Sequence, residues 1–149
     1  MGLRLEATLG AISTKNKTVR LTTGEKLKYQ KLVLSMGARA LTLPQAFGGH
    51  HKGVYSIRTL SDVDTIKHEF QPGRTLLVVG GGYVGLEAAS TANKLGLRVI
   101  VIEREDRILK RVAAAATSNY FRELHVSKGV QIRESTSLIN LTEKEGRVS

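Results

Sequence analysis

The chain has 149 residues, enough for one ordinary domain with its own core, and its hydrophobic fraction of 41% excludes wholesale disorder. Aromatics are 5% and Trp is absent, so the core must rest on Leu, Val, Ile and Ala, a composition suited to an α/β domain with buried parallel strands. The formal charge is +10, but the Lys and Arg residues are scattered without a run of five, so no nucleic-acid partner is expected. The absence of cysteine excludes disulfides, thiolate metal sites and a redox thiol pair within this stretch, and it fits a reducing, cytoplasmic compartment. The apolar runs are too short to span a bilayer, so no membrane partner is expected.

In chain order, Val19, Leu21, Leu27 and Tyr29 alternate with polar residues on either side of Thr23-Gly24-Glu25 and predict a hairpin with one apolar face. Lys31–Ser35 is a compact apolar run that predicts a buried strand turning at Gly37. Ala38–Tyr55, with Pro44, Gly48, Gly49 and Gly53, reads as a connection between domains. Ser61 followed by Asp64 predicts a helix start, with Val63, Ile66 and Phe70 on one face and Pro72-Gly73 as its end.

From Arg74 the pattern is clean α/β alternation. Leu76–Val79 predicts a buried strand. The next helix carries Gly85, Ala88, Ala89, Ala92 and Leu95 on one face and closes at Gly96. Arg98–Ile102 is a second strand. Thr117–Lys128 is a helix with Tyr120, Phe121 and Leu124 inward, and Val130–Ile132 is a third strand. Leu138–Leu141 and the turn at Glu145-Gly146-Arg147 open another hairpin, with no returning strand expected before Ser149.

The chemistry concentrates in Gly80-Gly81-Gly82-Tyr83-Val84-Gly85, a Gly-x-Gly-x-x-Gly spacing set between a strand and a helix. Gly80 permits the tight turn, Gly82 lets a pyrophosphate approach the backbone, and Gly85 lets the helix pack closely on the sheet. Tyr83 and Val84 contribute mainly backbone N–H groups, which with the helix dipole bind phosphate. Glu103 ends the second strand, where its carboxylate can accept hydrogen bonds from the adenine ribose and repel a 2′-phosphate, which favours NAD(H) over NADP(H). Arg104 beside it is what an NADP site would use, so the choice is not closed by the residues alone. Glu87 has two readings: an acid in the first helical turn favourable to the dipole, or a residue facing the nicotinamide. His50-His51, His68 and His125 lack partners at ligand spacing, so no metal is expected.

These residues resemble FAD-dependent pyridine nucleotide-disulfide oxidoreductases, most nearly the branch of ferredoxin, rubredoxin and putidaredoxin reductases. The likeness is carried by Arg58–Asp64, the Gly80–Glu87 motif, Leu95–Val99, Glu103 with Asp106-Arg107-Ile108-Leu109, Arg111-Val112, Tyr120-Phe121 and Gly129-Val130. It extends to Tyr29–Arg39, similar to the strand and turn that close a FAD domain, although Ser35-Met36-Gly37 replaces the usual Ala-Thr-Gly. The resemblance implies a Rossmann-like, three-layer NAD(P)-binding domain with a parallel central sheet, preceded by hairpin strands of a truncated FAD domain. Residues 1–45 are then a fragment of that FAD domain, and residues 46–149 a C-terminally incomplete NAD(P)-binding domain.

For the site, the resemblance implies that Gly37 and Arg39 lie near FAD, Glu87 near the nicotinamide, and Arg111 at the adenosine half of NAD. For the longer parent it implies hydride transfer from NADH to FAD and then electrons to an iron–sulfur acceptor protein, with a basic surface suited to an acidic ferredoxin. The 149 residues alone are expected to bind NAD(H) weakly and to catalyse nothing. The rival readings are a same-fold disulfide, CoA-disulfide, peroxide or nitrite reductase, and a non-enzymatic NAD-binding module like apoptosis-inducing factor.

Overall fold

The computed structural model describes residues 2–149, which form two compact units dividing after Ala38. The first unit is a three-stranded antiparallel sheet of β1 (Leu9–Ser13), β2 (Thr18–Leu21) and β3 (Lys26–Lys28), in that order. The expected hairpin is β2–β3, with Val19 opposite Leu27 and Gly24 at φ +91° in the turn. Leu21 is buried and Val19, Leu27 and Tyr29 are half-buried, so the alternation does make one apolar face.

Lys31–Ser35 does not form the predicted buried strand. It runs without a sheet partner, and Val33 is 85% exposed. A short apolar run needs a neighbouring ladder to become a strand, and the described residues supply none there.

The second unit begins with a loop that is folded on itself. A 3-10 turn at Gln45–Phe47 ends at Gly48 (φ +84°), and a Cβ on Gly49 would lie 1.8 Å from the Leu43 carbonyl oxygen. Leu141 N–H donates to the Phe47 carbonyl and Val148 N–H to that of Lys52, so the predicted connection is tied to the C-terminal hairpin. Helix α1 (Leu60–Ile66) is capped by Thr59, two residues before the predicted cap Ser61. Thr59 Oγ1 accepts from Asp62 N–H at 3.3 Å, and Asp62 Oδ2 accepts from Thr59 N–H at 2.7 Å. This reciprocal box uses the earlier of two equally spaced Ser/Thr–acid pairs, and Asp64 pairs with Lys67 instead.

The core of this unit is a parallel sheet in the order β4 (Thr75–Val79), β5 (Arg98–Ile102), β6 (Gln131–Arg133). Helix α2 (Tyr83–Lys94) crosses from β4 to β5, and α3 (Ala115–Ser127) precedes β6. This is the expected α/β alternation with a Rossmann-type parallel sheet. Ala89 and Ala92 of α2 pack with Leu97, Val99, Val101 and Val130 over Leu76 and Val78. Strand β4 is not buried on both faces as predicted: Leu77 and Val79 point the other way, and Val79 is 53% exposed. A strand buries both faces only when both are covered, and α2 covers the Leu76–Val78 row through Ala89 and Ala92.

Two helix faces also differ from expectation. On α2, Leu86 is buried and Leu95 is exposed at the C-cap, just before Gly96 with φ +84°. On α3 the inward stripe is Ser118, Phe121 and His125, while Tyr120 is 63% exposed. The rotation puts polar groups inside because each finds a partner. Ser118 Oγ donates to the Ile108 carbonyl at 2.7 Å, and His125 Nε2 and Nδ1 lie 3.2 and 2.8 Å from the Leu86 and Phe121 carbonyl oxygens. The chain ends in a hairpin of β7 (Glu143–Lys144) and β8 (Arg147–Val148), so a returning strand is present and Leu138–Leu141 is not one. Among the described residues no helix is long and apolar enough to cross a membrane.

Candidate nucleotide-binding site

The glycine turn stands between β4 and α2, and its glycines are held there by different constraints. Gly80 has φ +109°, a conformation that side chains disfavour, and its N–H donates to the Ile102 carbonyl at 2.8 Å. Gly81 is buried: a Cβ there would come within 2.5 Å of Ile108 Cγ2. Gly82 is the N-cap of α2, extended, with no side-chain cap and nothing within 4 Å of an added Cβ. A Cβ on Gly85 would lie 2.3 Å from the Gly80 carbonyl oxygen, so the helix sits against the turn at a separation only glycine allows. Tyr83 and Val84 point outward, both about half exposed. The backbone N–H groups at the start of α2 therefore border open space, without a side chain of their own to satisfy them.

Glu103 follows β5 directly, and its carboxylate is bonded into this turn. Oε2 accepts from Gly81 N–H at 2.7 Å and Oε1 accepts from Glu105 N–H at 2.9 Å. A carboxylate offers about four acceptor positions, so each oxygen keeps capacity for a further donor. Two backbone amides thus orient the acid while leaving it able to accept hydroxyl protons.

The loop after Glu103 is locked from beneath. Ile108 is fully buried against Gly81, and Leu109, at φ +57°, donates its N–H to the Gly81 carbonyl. Arg107 donates to the Ala113 and Lys110 carbonyls and to Ser118 Oγ, and Ile108 N–H donates to Glu134 Oε1 at 3.0 Å. The backbone is held in a left-handed turn at a non-glycine residue because these bonds and the burial of Leu109 over-determine it.

A cleft of about 300 Å³ opens at this place, lined among others by Gly80, Glu103, Arg104, Glu105, Arg111 and Thr136. Four of the residues singled out in the sequence, Gly80, Glu103, Arg104 and Arg111, therefore meet there, although more than thirty positions separate the first from the last. Glu105 and Thr136, together with Ser137 and Leu138, are additions that sequence reasoning did not supply. They arrive because Glu103 N–H bonds the Arg133 carbonyl and Thr136 N–H bonds the Glu103 carbonyl, which folds the segment after β6 alongside the acid. A parallel β5–β6 pairing implies this neighbourhood, but only once the register is known.

Charge in the cleft is mixed. Lys110 reaches Glu105 at 3.3 Å and Asp106 at 3.1 Å, and Arg104 reaches Glu105 at 3.4 Å. Lys110, then Arg104, hold the Glu105 carboxyl below its ordinary value, and Asp106, then Glu105, raise the Lys110 ammonium.

Glu87 lies elsewhere. It is exposed in the second turn of α2, and the first turn carries no acid, because the helix starts at Tyr83. The reading of Glu87 as a first-turn acid is thereby corrected: it is too far along the helix for the end of the dipole to favour it. Gly37 (φ +73°) and Arg39 are both exposed. No group of three or more His, Cys, Asp and Glu placed to hold a metal occurs among the described residues.

With this geometry in place, comparison with known proteins is specific. Residues 3–149 match the model of the pyridine nucleotide-disulphide oxidoreductase family. This chain belongs to that family. Among its relatives is a probable ferredoxin reductase of Castellaniella defragrans, 36% identical over 145 residues, covering 96% of this chain and 35% of that protein. The putidaredoxin reductase of Pseudomonas putida is 38% identical over 130 residues, covering 86% and 31%. In the crystal structure of a covalent putidaredoxin reductase–putidaredoxin complex, one chain superposes with a TM-score of 0.77 at 34% identity, covering 95% of this chain and 35% of that one. The chain thus spans about a third of the length of the curated family members it matches.

Proposed function

We propose that the second unit binds NAD(H), as the nucleotide-binding portion of a flavin-dependent reductase. The observation that carries this reading is the uncovered start of α2, joined through Gly81 N–H to the carboxylate of Glu103. In this reading the N–H groups that follow Gly82 hold the pyrophosphate and the helix dipole favours its charge. Glu103 accepts the ribose hydroxyls with its remaining lone pairs, and its charge repels a 2′-phosphate. Arg104 and Arg111 border the adenosine end, and Glu87, exposed one turn along α2, is assigned to the nicotinamide side.

The family relationship supports a larger assignment. Where FAD is bound in the longer protein, it would supply the hydride-accepting and electron-transfer chemistry that links NADH to an iron–sulfur acceptor, in the manner of ferredoxin reductases. The proposed division has residues 1–45 from the FAD domain, with Gly37 and Arg39 toward the flavin, and residues 46–149 from the NAD domain. A cytoplasmic setting belongs to the same reading and is supported by the absence of cysteine.

Calorimetric titration with NADH and NADPH tests the nucleotide assignment. The native chain is expected to take NADH in preference, and Glu103→Ala to weaken NADH while improving relative NADPH affinity. Equal affinities that do not respond to Glu103→Ala would remove Glu103 from the site.

A further inference from the structure

Glu105 lies outside the glycine motif and two residues beyond the ribose carboxylate, yet it lines the same cleft as Arg104 and Arg111. Its two oxygens engage different cations, Oε1 with Arg104 at 3.4 Å and Oε2 with Lys110 at 3.3 Å. Its backbone is fixed on both sides: the N–H donates to Glu103 Oε1, and the carbonyl accepts from Ser135 N–H at 2.8 Å. The carboxylate is therefore held beside the ribose end by bonds that do not involve its side chain.

Arg104, Lys110 and Arg111 follow Glu103 within a few residues, and unengaged cations in that place attract a 2′-phosphate. A carboxylate placed between two of them cancels much of their field. Its Oε1 contact with Arg104 Nη2 also competes with phosphate for one of that guanidinium's donors.

We infer that Glu105 is a second nucleotide-selecting residue, which keeps the ribose end closed to NADPH by engaging Arg104 and Lys110. The inference rests on the nucleotide assignment made above. Glu103 repels the phosphate directly, whereas Glu105 acts by occupying the phosphate's partners. Lys110 lowers the Glu105 carboxyl and Asp106, then Glu105, raise the Lys110 ammonium, so the contacts within this cluster favour its charged forms. The pairs are solvent-exposed and add little to stability, so replacing Glu105 leaves the fold in place.

The test is calorimetric titration of the full chain with NADH and with NADPH, comparing native protein, Glu105→Gln, Glu105→Asp and the double variant Glu105→Gln/Arg104→Ala. Glu105→Gln is expected to raise the NADPH-to-NADH affinity ratio on the order of tenfold, the size of one well-placed charge at a phosphate. The gain should shrink as salt is added, fall in the double variant to the part that Lys110 supplies, and be absent in Glu105→Asp, which keeps the charge. A Glu105→Gln protein that binds NADH with the native ratio overturns the role of Glu105 and leaves the nucleotide assignment standing. A native chain that takes neither nucleotide overturns both.

Discussion

Replacing Gly82 and Gly85 one at a time separates ligand approach from packing. An alanine Cβ at Gly82 meets nothing within 4 Å and sits at an ordinary extended backbone, so the fold has little to resist it. The structural cost is the loss of a tolerable N-cap residue, up to about 1 kcal/mol. The methyl group would occupy the open space over the first turn, where phosphate oxygens approach. Losing one or two charge-assisted bonds there lowers NADH affinity on the order of tenfold to a hundredfold. At Gly85 the balance reverses. The new Cβ falls 2.3 Å from the Gly80 carbonyl oxygen and 3.1 Å from Val78 Cγ1, so α2 must recede by about 1 Å to restore normal contact. Such overpacking costs about 1–3 kcal/mol, which lowers Tm by roughly 2–12 °C for a domain near this size. Thermal unfolding followed by circular dichroism reads the packing term, and calorimetric titration with NADH reads the binding term. A Gly82→Ala protein with native NADH affinity refutes phosphate binding at this turn. A Gly85→Ala protein with native Tm refutes the close approach of helix to strand.

Other expected outcomes concern how the unit is held together. Ser118→Ala leaves Arg107 and the Ile108 carbonyl without their buried partner, so urea unfolding should show a loss of about 1–3 kcal/mol, and native stability would discount this bond. Glu69 bonds Arg147, Tyr55 and Arg74, and chiefly through Arg147 its carboxyl is held at about 2. Its folded value lies below the unfolded 4.5, so its contribution is present above 4.5 and is lost as pH falls toward 2. The native urea midpoint should decline across that window more steeply than that of Glu69→Gln; parallel profiles would dismiss the linkage. Thr59→Ala removes one half of the capping box and should cost about 0.5–2 kcal/mol by the same unfolding assay, with no change in NADH affinity.

What the amino-acid order settled unaided was local. Gly80, Gly82 and Gly85 between an apolar run and a helix, with Glu103 at the end of the next β-branched run, announce a strand–turn–helix–strand unit, because each constraint acts within a few residues. The β2–β3 hairpin was equally legible, since a period-two pattern around a turn glycine is a short-range signal. Element ends and helix faces were less so. Thr59–Asp62 and Ser61–Asp64 have the same spacing, and apolarity alone turned Tyr120 and Leu124 inward on α3, where Ser118 and His125 are buried instead.

The tertiary structure decided what depends on partners distant in sequence. A buried serine or histidine is stable only where a carbonyl awaits it, and those carbonyls belong to Ile108 and Leu86. Lys31–Ser35 has strand composition but no ladder among the described residues, so it is not a strand. The cleft joins Glu103 to Thr136 and Ser137 through the register of β5 against β6 and the bonds that follow it, and single-chain periodicity does not encode a register. Composition thus chose the elements, while hydrogen bonds between remote backbone groups chose which side chains share the site.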